Sequence, residues 1–113
     1  MLQTLSIPFR DIDGFRIYNL DSFNGSTFDL VAIFPDNSYR RHRHAGSHQE
    51  IYIISGCGKA IIGGKERDFA EGDYFFVPKD VTHCFYPLHE TEMLSISTPP
   101  LAKTEDGIDV IFE

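Results

Sequence analysis

Short apolar segments that are rich in aromatic and β-branched residues recur along the chain, and they predict strands with almost no helix. Turn signals such as Asn24-Gly25 and Gly63-Gly64 separate these segments, and glycine accepts the positive φ that a two-residue hairpin requires. The residues between 103 and 107 are predicted to form a loop. The predicted strands are 15–18, 28–34, 49–54, 59–62, 74–77, 83–86, 93–97 and 108–112. Short strands at this spacing indicate an all-β sandwich or barrel.

Length and charge narrow the class of protein. A chain of 113 residues is expected to form one domain, over residues 1–113. The net charge of −7 argues against a nucleic-acid partner, which needs a basic surface, and against an anionic membrane surface. No signal peptide or apolar run of membrane-spanning length is visible, so we expect a cytoplasmic protein. Cys57 and Cys84 are therefore expected to be reduced.

Histidines are concentrated in one segment. His42, His44 and His48 lie within seven residues, although the chain has only five histidines. In a strand, side chains two residues apart share a face, so His42 and His44 point together while Arg43 points the other way. Such a pair could supply two ligands to one metal ion. For this motif alone, however, exposed histidines at a polar strand end are the commoner explanation.

A second segment, GDYFFVPKDVTHCF at residues 72–85, changes that balance. The patterns His42-x-His44-x4-Gln49-x6-Gly56 and Gly72-x5-Pro78-x4-His83 together resemble the two signature motifs of the cupin family. The resemblance covers residues 40–85, and it implies an all-β, single-domain cupin with a double-stranded β-helix (a jelly-roll-like antiparallel barrel). It also implies that His42, His44 and His83 bind a divalent metal ion.

The fourth ligand departs from the family pattern, which has glutamate where the spacing places Gln49. Glu50 is an alternative if a bulge turns it inward, and water or His48 could also close the site. An amide oxygen is neutral, so a site with Gln49 would leave the charge of the ion uncompensated and would polarise a bound carbonyl or water more strongly. Imidazole with oxygen ligands suits Zn, Ni, Mn or Fe.

The pattern with glutamine is similar to that of small cupins that help to open the rings of unsaturated uronates. An acid and an arginine near the end of the barrel are thought to assist catalysis there, but Ser95 and Leu101 stand at the corresponding positions here. That particular activity is therefore in doubt. His48 is only a weak candidate for a proton carrier, and no other catalytic residue is identified.

Two classes of function stay open. The first is a metalloenzyme in which the ion acts as a Lewis acid on a small oxygen-rich metabolite such as a sugar acid. Its chemistry would be isomerisation, ring opening or a lyase reaction, or dioxygenase chemistry with Fe. The second is a non-catalytic module that binds or senses a small ligand. We favour the enzyme. The resemblance also implies a homodimer, with residues 15–18 expected to form an apolar edge that pairs between subunits.

Overall fold

The computed structural model describes residues 9–12, 15–35, 41–101, 103–104, 107–108 and 110–112. Regular structure in this part of the chain is entirely β-strand. In chain order the strands are β1 (Phe9–Ile12), β2 (Phe15–Phe23), β3 (Ser26–Ile33), β4 (His42–Arg43), β5 (His48–Ser55), β6 (Cys57–Ile62), β7 (Lys65–Ala70), β8 (Tyr74–Val77), β9 (His83–Pro87), β10 (Thr91–Thr98), β11 (Lys103–Thr104), β12 (Gly107–Ile108) and β13 (Ile111–Phe112).

Two antiparallel sheets carry the fold. One has six strands in the order β1-β2-β3-β10-β5-β8, and the other has five in the order β13-β4-β9-β6-β7. Strands far apart in sequence are neighbours: β10 lies between β3 and β5, and β9 lies between β4 and β6. Such crossovers between two sheets are typical of a jelly roll. The predicted all-β, jelly-roll-like antiparallel barrel is therefore confirmed.

Strand alternation places the core between the sheets. In β5, Gln49, Ile51 and Ile53 are buried while Tyr52 and Ile54 are exposed, which is the period of two expected for a half-buried strand. The buried apolar cluster consists of Ile17, Val31, Ile33, Ile51, Ile53, Ala60, Phe69, Phe75, Val77, Cys84, Phe85 and Met93. Both sheets contribute to it, so the barrel has a core of its own.

Two hairpins have the backbone that their sequences predict. Asn24 and Gly25 connect β2 to β3 with φ values of 51° and 76°, and Gly63 and Gly64 connect β6 to β7 with φ values of 57° and 80°. Positive φ at both central residues is the requirement of a type I′ turn. The predicted hairpin at Gly63-Gly64 is confirmed by the pairing of Ile62 with Lys65.

Several strand predictions were incomplete. β7 was not predicted because Phe69 is its only buried residue and the rest of the strand is exposed and mostly charged. The predicted loop over 103–107 was wrong, since Lys103 pairs with Ile108 and joins β11 to β12. The strand predicted over 108–112 is divided between β12 and β13.

Residues 15–18 do not form the apolar edge that was predicted for them. These residues belong to β2, which pairs with β1 on one side and with β3 on the other. An interior strand offers no free backbone edge to another subunit. The homodimer stays a prediction, but pairing through residues 15–18 no longer supports it.

Cys57 and Cys84 are both free thiols, in agreement with the prediction that they are reduced. Cys84 is completely buried and packs in the core, whereas Cys57 is half-buried at the start of β6. Among the described residues there is no helix long and apolar enough to span a membrane. The cytoplasmic location and the extent of the domain over 1–113 stay predictions.

Candidate metal centre

Pairing between β4 and β9 brings two distant histidines together. His42 lies directly opposite His83 in the register of these strands, and their ring centroids are 4.3 Å apart. His44 follows two residues after His42 and turns to the same side. Its ring centroid lies 5.2 Å from that of His42 and 5.3 Å from that of His83. The three imidazoles therefore form one triangular cluster.

The ring nitrogens of the cluster are slightly farther apart than those of a metal-bound site. One ring nitrogen from each histidine lies within 4.8 Å of the others, and all three residues are buried. A tetrahedral zinc ion with bonds of about 2.0–2.1 Å holds its nitrogen ligands roughly 3.3 Å apart. Modest rotations of the imidazole rings would bring the nitrogens to this shorter separation. The donor set, three imidazole nitrogens, is one that divalent transition metals accept.

A backbone carbonyl fixes which nitrogen of His83 can act as a ligand. Nδ1 of His83 lies 3.0 Å from the carbonyl oxygen of Val81. A carbonyl oxygen only accepts, so Nδ1 carries the hydrogen and donates it. Nε2 of the neutral ring then keeps its lone pair. A ligand histidine is commonly oriented in this way by a hydrogen bond at its other nitrogen.

Burial keeps His83 neutral. Removal from solvent, and then the neighbouring ring of His42, hold the pKa of His83 well below its ordinary value of 6.5. His44 lowers the pKa further, whereas the hydrogen bond to Val81 acts in the opposite direction. Metal binding requires the neutral imidazole, so the site is prepared at neutral pH. The Nε2 atom of His44 is likewise buried and makes no hydrogen bond to the described residues.

Gln49 faces the same cavity as His42 and His44. Its side chain is 6% exposed, and its Nε2 donates a hydrogen bond of 3.0 Å to Oγ of Ser97, which is its register partner on β10. This bond uses the nitrogen of the amide and turns the oxygen away from Ser97. The oxygen is the atom of the amide that is left to act as a ligand.

The two alternatives to Gln49 face away from the cavity. Glu50 accepts a hydrogen bond of 3.0 Å from the hydroxyl of Tyr74, and the register of β5 with β8 is regular here, without the bulge that would turn Glu50 inward. The ring of His48 lies 5.2 Å from that of Phe76, an exposed residue of β8. Alternation therefore puts both side chains on the outer face of β5, and the structure does not bring His48 to the site.

The cavity beside the histidines is narrow. It measures about 430 Å³ when its opening is included, but the space in which the centre of a water-sized molecule fits is only about 30 Å³. Its described lining consists of Ile17, Asp29, Val31, His42, His44, Gln49, Ile51, Met93, Ser95, Leu101 and Val110. The interior accepts an ion and a small group, and a larger molecule must extend into the opening.

Asp29 is the residue that sequence reasoning missed. It lies in β3, is 6% exposed and lines the cavity, although the sequence of its segment predicts only an apolar strand. Asn19 of β2 donates a hydrogen bond of 3.0 Å from Nδ2 to Oδ1 of Asp29. The signal was present in the sequence, because alternation places Asp29 on the face of Val31 and Ile33, which belong to the core.

A protein-family model described as "Cupin domain" matches residues 30–97, more than half of the chain. The chain belongs to the cupin family. A relative from Aquifex aeolicus (strain VF5), an uncharacterized protein, is 29% identical to this cupin over 79 residues. That match covers 70% of this chain but only 63% of the relative.

Solved structures agree with the fold. An RmlC-like cupin from Shewanella frigidimarina NCIMB 400 matches with a TM-score of 0.75 and 22% identity, and the match covers 89% of this chain and 88% of that one. Pac13, a nucleoside dehydratase from Streptomyces, matches with a TM-score of 0.75 and 16% identity over 94% of this chain and 83% of its own. At these identities the likeness concerns the fold alone. The assignment of His42, His44, Gln49 and His83 as ligands stays a prediction.

Proposed function

We propose that this cupin binds one divalent metal ion through His42, His44 and His83, with Gln49 as the fourth ligand, and acts as an enzyme on a small oxygen-rich metabolite. One observation supports this most directly: three buried imidazoles from two paired strands meet within 4.8 Å. Nitrogens at this spacing offer one ion three ligands at once, and imidazole is a ligand that divalent transition metals accept.

The residues around the cluster have distinct tasks in this proposal. Val81 orients the ring of His83, and Ser97 orients the amide of Gln49. Zn, Ni, Mn and Fe are all compatible with imidazole and amide ligands. When bound, such an ion supplies Lewis-acid polarisation of an oxygen of the substrate. Because every proposed ligand is neutral, none of them compensates the charge of the ion.

The reaction classes that we propose are isomerisation, ring opening and lyase chemistry, with dioxygenase chemistry if the ion is Fe. A sugar acid is one such small oxygen-rich substrate. The narrow cavity supports a small substrate, or one that inserts only its reacting end. Pac13 is an enzyme with this fold and has been solved with uridine, an oxygen-rich molecule, which is consistent with the proposal.

The second candidate is a non-catalytic module that binds or senses a small ligand. It is favoured by the lining of the cavity, which is apolar at six of its eleven described positions. Among the described lining residues, Asp29 and the two histidines are the ones with ionisable side chains. If both histidines bind metal, Asp29 is the one titratable group left for acid–base work.

Metal analysis of protein purified without an affinity tag tests the ligand assignment. After reconstitution with Zn, Ni, Mn or Fe(II), the wild type should hold close to one ion per chain. Metal content should fall sharply in His42→Ala and His83→Ala, and less in Gln49→Ala, which removes a neutral donor. His48→Ala, on the outer face of β5, is the matched control and should keep its ion. A wild type that stays empty with all four metals would contradict the proposal.

Turnover separates the two functions. The metal-loaded protein is incubated with uronates, keto sugars, diketones and uridine, and the products are followed by NMR. Conversion that disappears in His44→Ala and persists in His48→Ala would establish the enzyme. Tight binding of one compound, unchanged after hours with every metal, would establish the binding module instead.

A further inference from the structure

The outer faces of the two sheets differ in chemistry. On the five-stranded sheet, the outward side chains of β6 and β7 form ion pairs: Nζ of Lys59 lies 3.1 Å from Oδ1 of Asp68 and 3.5 Å from Oε2 of Glu66. On the same face, Nε of Arg43 lies 2.8 Å from Oδ1 of Asp80. Charged side chains of this kind belong in water, so this face is suited to solvent.

An unbroken apolar row crosses the outer face of the six-stranded sheet. Each of its residues lies opposite the next in the register of five neighbouring strands, and the row consists of Tyr18, Leu30, Leu94, Tyr52 and Tyr74. Leu30 is buried and Leu94 is half-buried, although neither belongs to the core cluster between the sheets. Tyr52 and Tyr74 are each 41% exposed, and their ring centroids are 4.9 Å apart.

A second row lies beside the first and is also largely apolar. It consists of Phe28, Ile96, Glu50 and Phe76, again opposite one another in the register. Of the nine residues in the two rows, only Glu50 is an acidic or basic residue, and it accepts a hydrogen bond of 3.0 Å from the hydroxyl of Tyr74. Phe76 is 50% exposed. Together the two rows form an outer apolar face.

The area of the outer apolar face is sufficient for a dimer. An aromatic side chain has about 150–250 Å² of surface, so Tyr52, Tyr74 and Phe76 alone expose roughly 250 Å². Five strands about 4.8 Å apart, most of them eight or nine residues long, give a face of roughly 600 Å². Two such faces in contact would bury roughly 1,200 Å², the lower end of the range for specific interfaces.

We propose that the outer apolar face is the interface with a second copy of this chain, packed sheet against sheet around a two-fold axis. Two copies that each have a net charge of −7 repel one another, so their contact requires a surface that is poor in charge. Residues near a two-fold axis meet their own counterparts, and the row through Leu94 and Tyr52 does so without bringing like charges together. A basic partner would instead require an acidic face, and this face has one acid.

Sedimentation of wild type and variants over a micromolar concentration range tests the interface. The wild type should be in equilibrium between monomer and dimer. Tyr52→Glu should raise the dissociation constant of the dimer by about 100-fold or more, because it brings two like charges together in an apolar contact. Tyr52→Phe keeps the ring and should leave the constant almost unchanged. The matched control is Tyr86→Glu: Tyr86 is 48% exposed and lies opposite Lys59 on the other outer face, so this variant should dimerise like the wild type.

Circular dichroism and the melting temperature report on folding separately from association. Phe76→Glu, in the second row, replaces Tyr52→Glu if that variant does not fold, and it should also weaken the dimer. Sodium chloride at about 0.5 M screens the repulsion between the acidic copies, so the wild-type dimer should persist or become tighter. The interface lies outside the cavity of the histidines, so the result does not depend on metal binding.

A wild type that is monomeric over the whole range overturns the proposal. So does a folded Tyr52→Glu or Phe76→Glu variant that dimerises like the wild type, or a Tyr86→Glu variant that is weakened as much as Tyr52→Glu. Dissociation of the wild-type dimer by salt would show that ionic contacts hold it, which also contradicts an apolar interface.

Discussion

Removal of His83 should abolish the thermal stabilisation that a metal ion gives to this protein. His83 is the ligand that folding brings from a distance: it lies in β9, whereas the other proposed ligands lie between residues 42 and 49. In the unfolded chain, His42 and His44 remain neighbours and keep whatever weak affinity a pair of histidines has. Only the folded state offers three imidazoles together, so the difference in affinity between the two states depends on His83.

The expected shift follows from mass action. An ion present at 100 times its dissociation constant stabilises the folded state by about 2.7 kcal/mol. Unfolding entropy near 60 °C is about 2.1 cal/mol/K per residue, so a chain of 113 residues unfolds with roughly 240 cal/mol/K. The wild-type melting temperature should therefore rise by about 11 °C. Binding to the unfolded chain through His42 and His44 would make the observed shift smaller.

The assay is differential scanning calorimetry of each variant with metal and with chelator. Each variant is compared with its own chelated form, so any destabilisation caused by the substitution itself cancels. His83→Ala should show a shift near zero because its folded and unfolded states bind the ion alike. His89→Ala removes an exposed histidine between β9 and β10 and should keep the full shift.

A wild-type shift that survives in His83→Ala would mean that the ion binds elsewhere, and the reasoning would fail. The chelated wild type should still melt cooperatively, because the twelve described residues of the buried apolar cluster include none of the three histidines. Loss of the strand signal in circular dichroism at 25 °C on chelation would show that the metal is structural, against this expectation.

Three further predictions concern the backbone, pH and assembly. Gly56→Ala should destabilise the protein by several kcal/mol in urea titrations, because φ is 102° and the new Cβ would overlap Oγ1 of Thr91. Gly25→Ala is the control: its φ is 76° but the space around it is open, so it should destabilise the protein by only about 1 kcal/mol. The free energy of unfolding of the metal-free protein should decrease as pH falls below 6.5, by up to about 1.4 kcal/mol per pH unit. The unfolded chain takes up a proton in this range, whereas His83 stays neutral in the folded state because its pKa is lowered. A free energy of unfolding that stays constant down to pH 5 would contradict this. Sedimentation at micromolar concentration should show a homodimer, and a monomer would remove that prediction.

Local patterns were sufficient for most of the fold because most strands have one buried face. Runs of aromatic and β-branched residues predicted β5 and β8, and glycine chemistry predicted the hairpin at Gly63-Gly64. β7 has one inward apolar residue, Phe69, and is a strand chiefly because that hairpin returns the chain alongside β6. A strand that forms because of its neighbour cannot be predicted from its own composition.

The metal cluster was only partly accessible from local pattern. Spacing predicted that His42 and His44 share a face, but their meeting with His83 depends on the pairing of β4 with β9, a contact between residues 41 positions apart that only the family resemblance could supply. Proximity in sequence was misleading for His48, which adjoins Gln49 yet lies against Phe76 on the other face. Asp29 was overlooked for the opposite reason, because one acid in an apolar run does not change the prediction of a strand.

The distribution of charge gives the proposed site its character. In the usual cupin pattern a glutamate ligand carries the negative charge, where it neutralises part of the ion and is unavailable to anything else. Here Gln49 provides a neutral oxygen, and the one acidic side chain of the described cavity wall is Asp29 on β3. An ion bound there would keep its full charge toward a ligand oxygen, because none of the proposed ligands neutralises it. A bound carbonyl or water would then be polarised more strongly than beside a glutamate ligand.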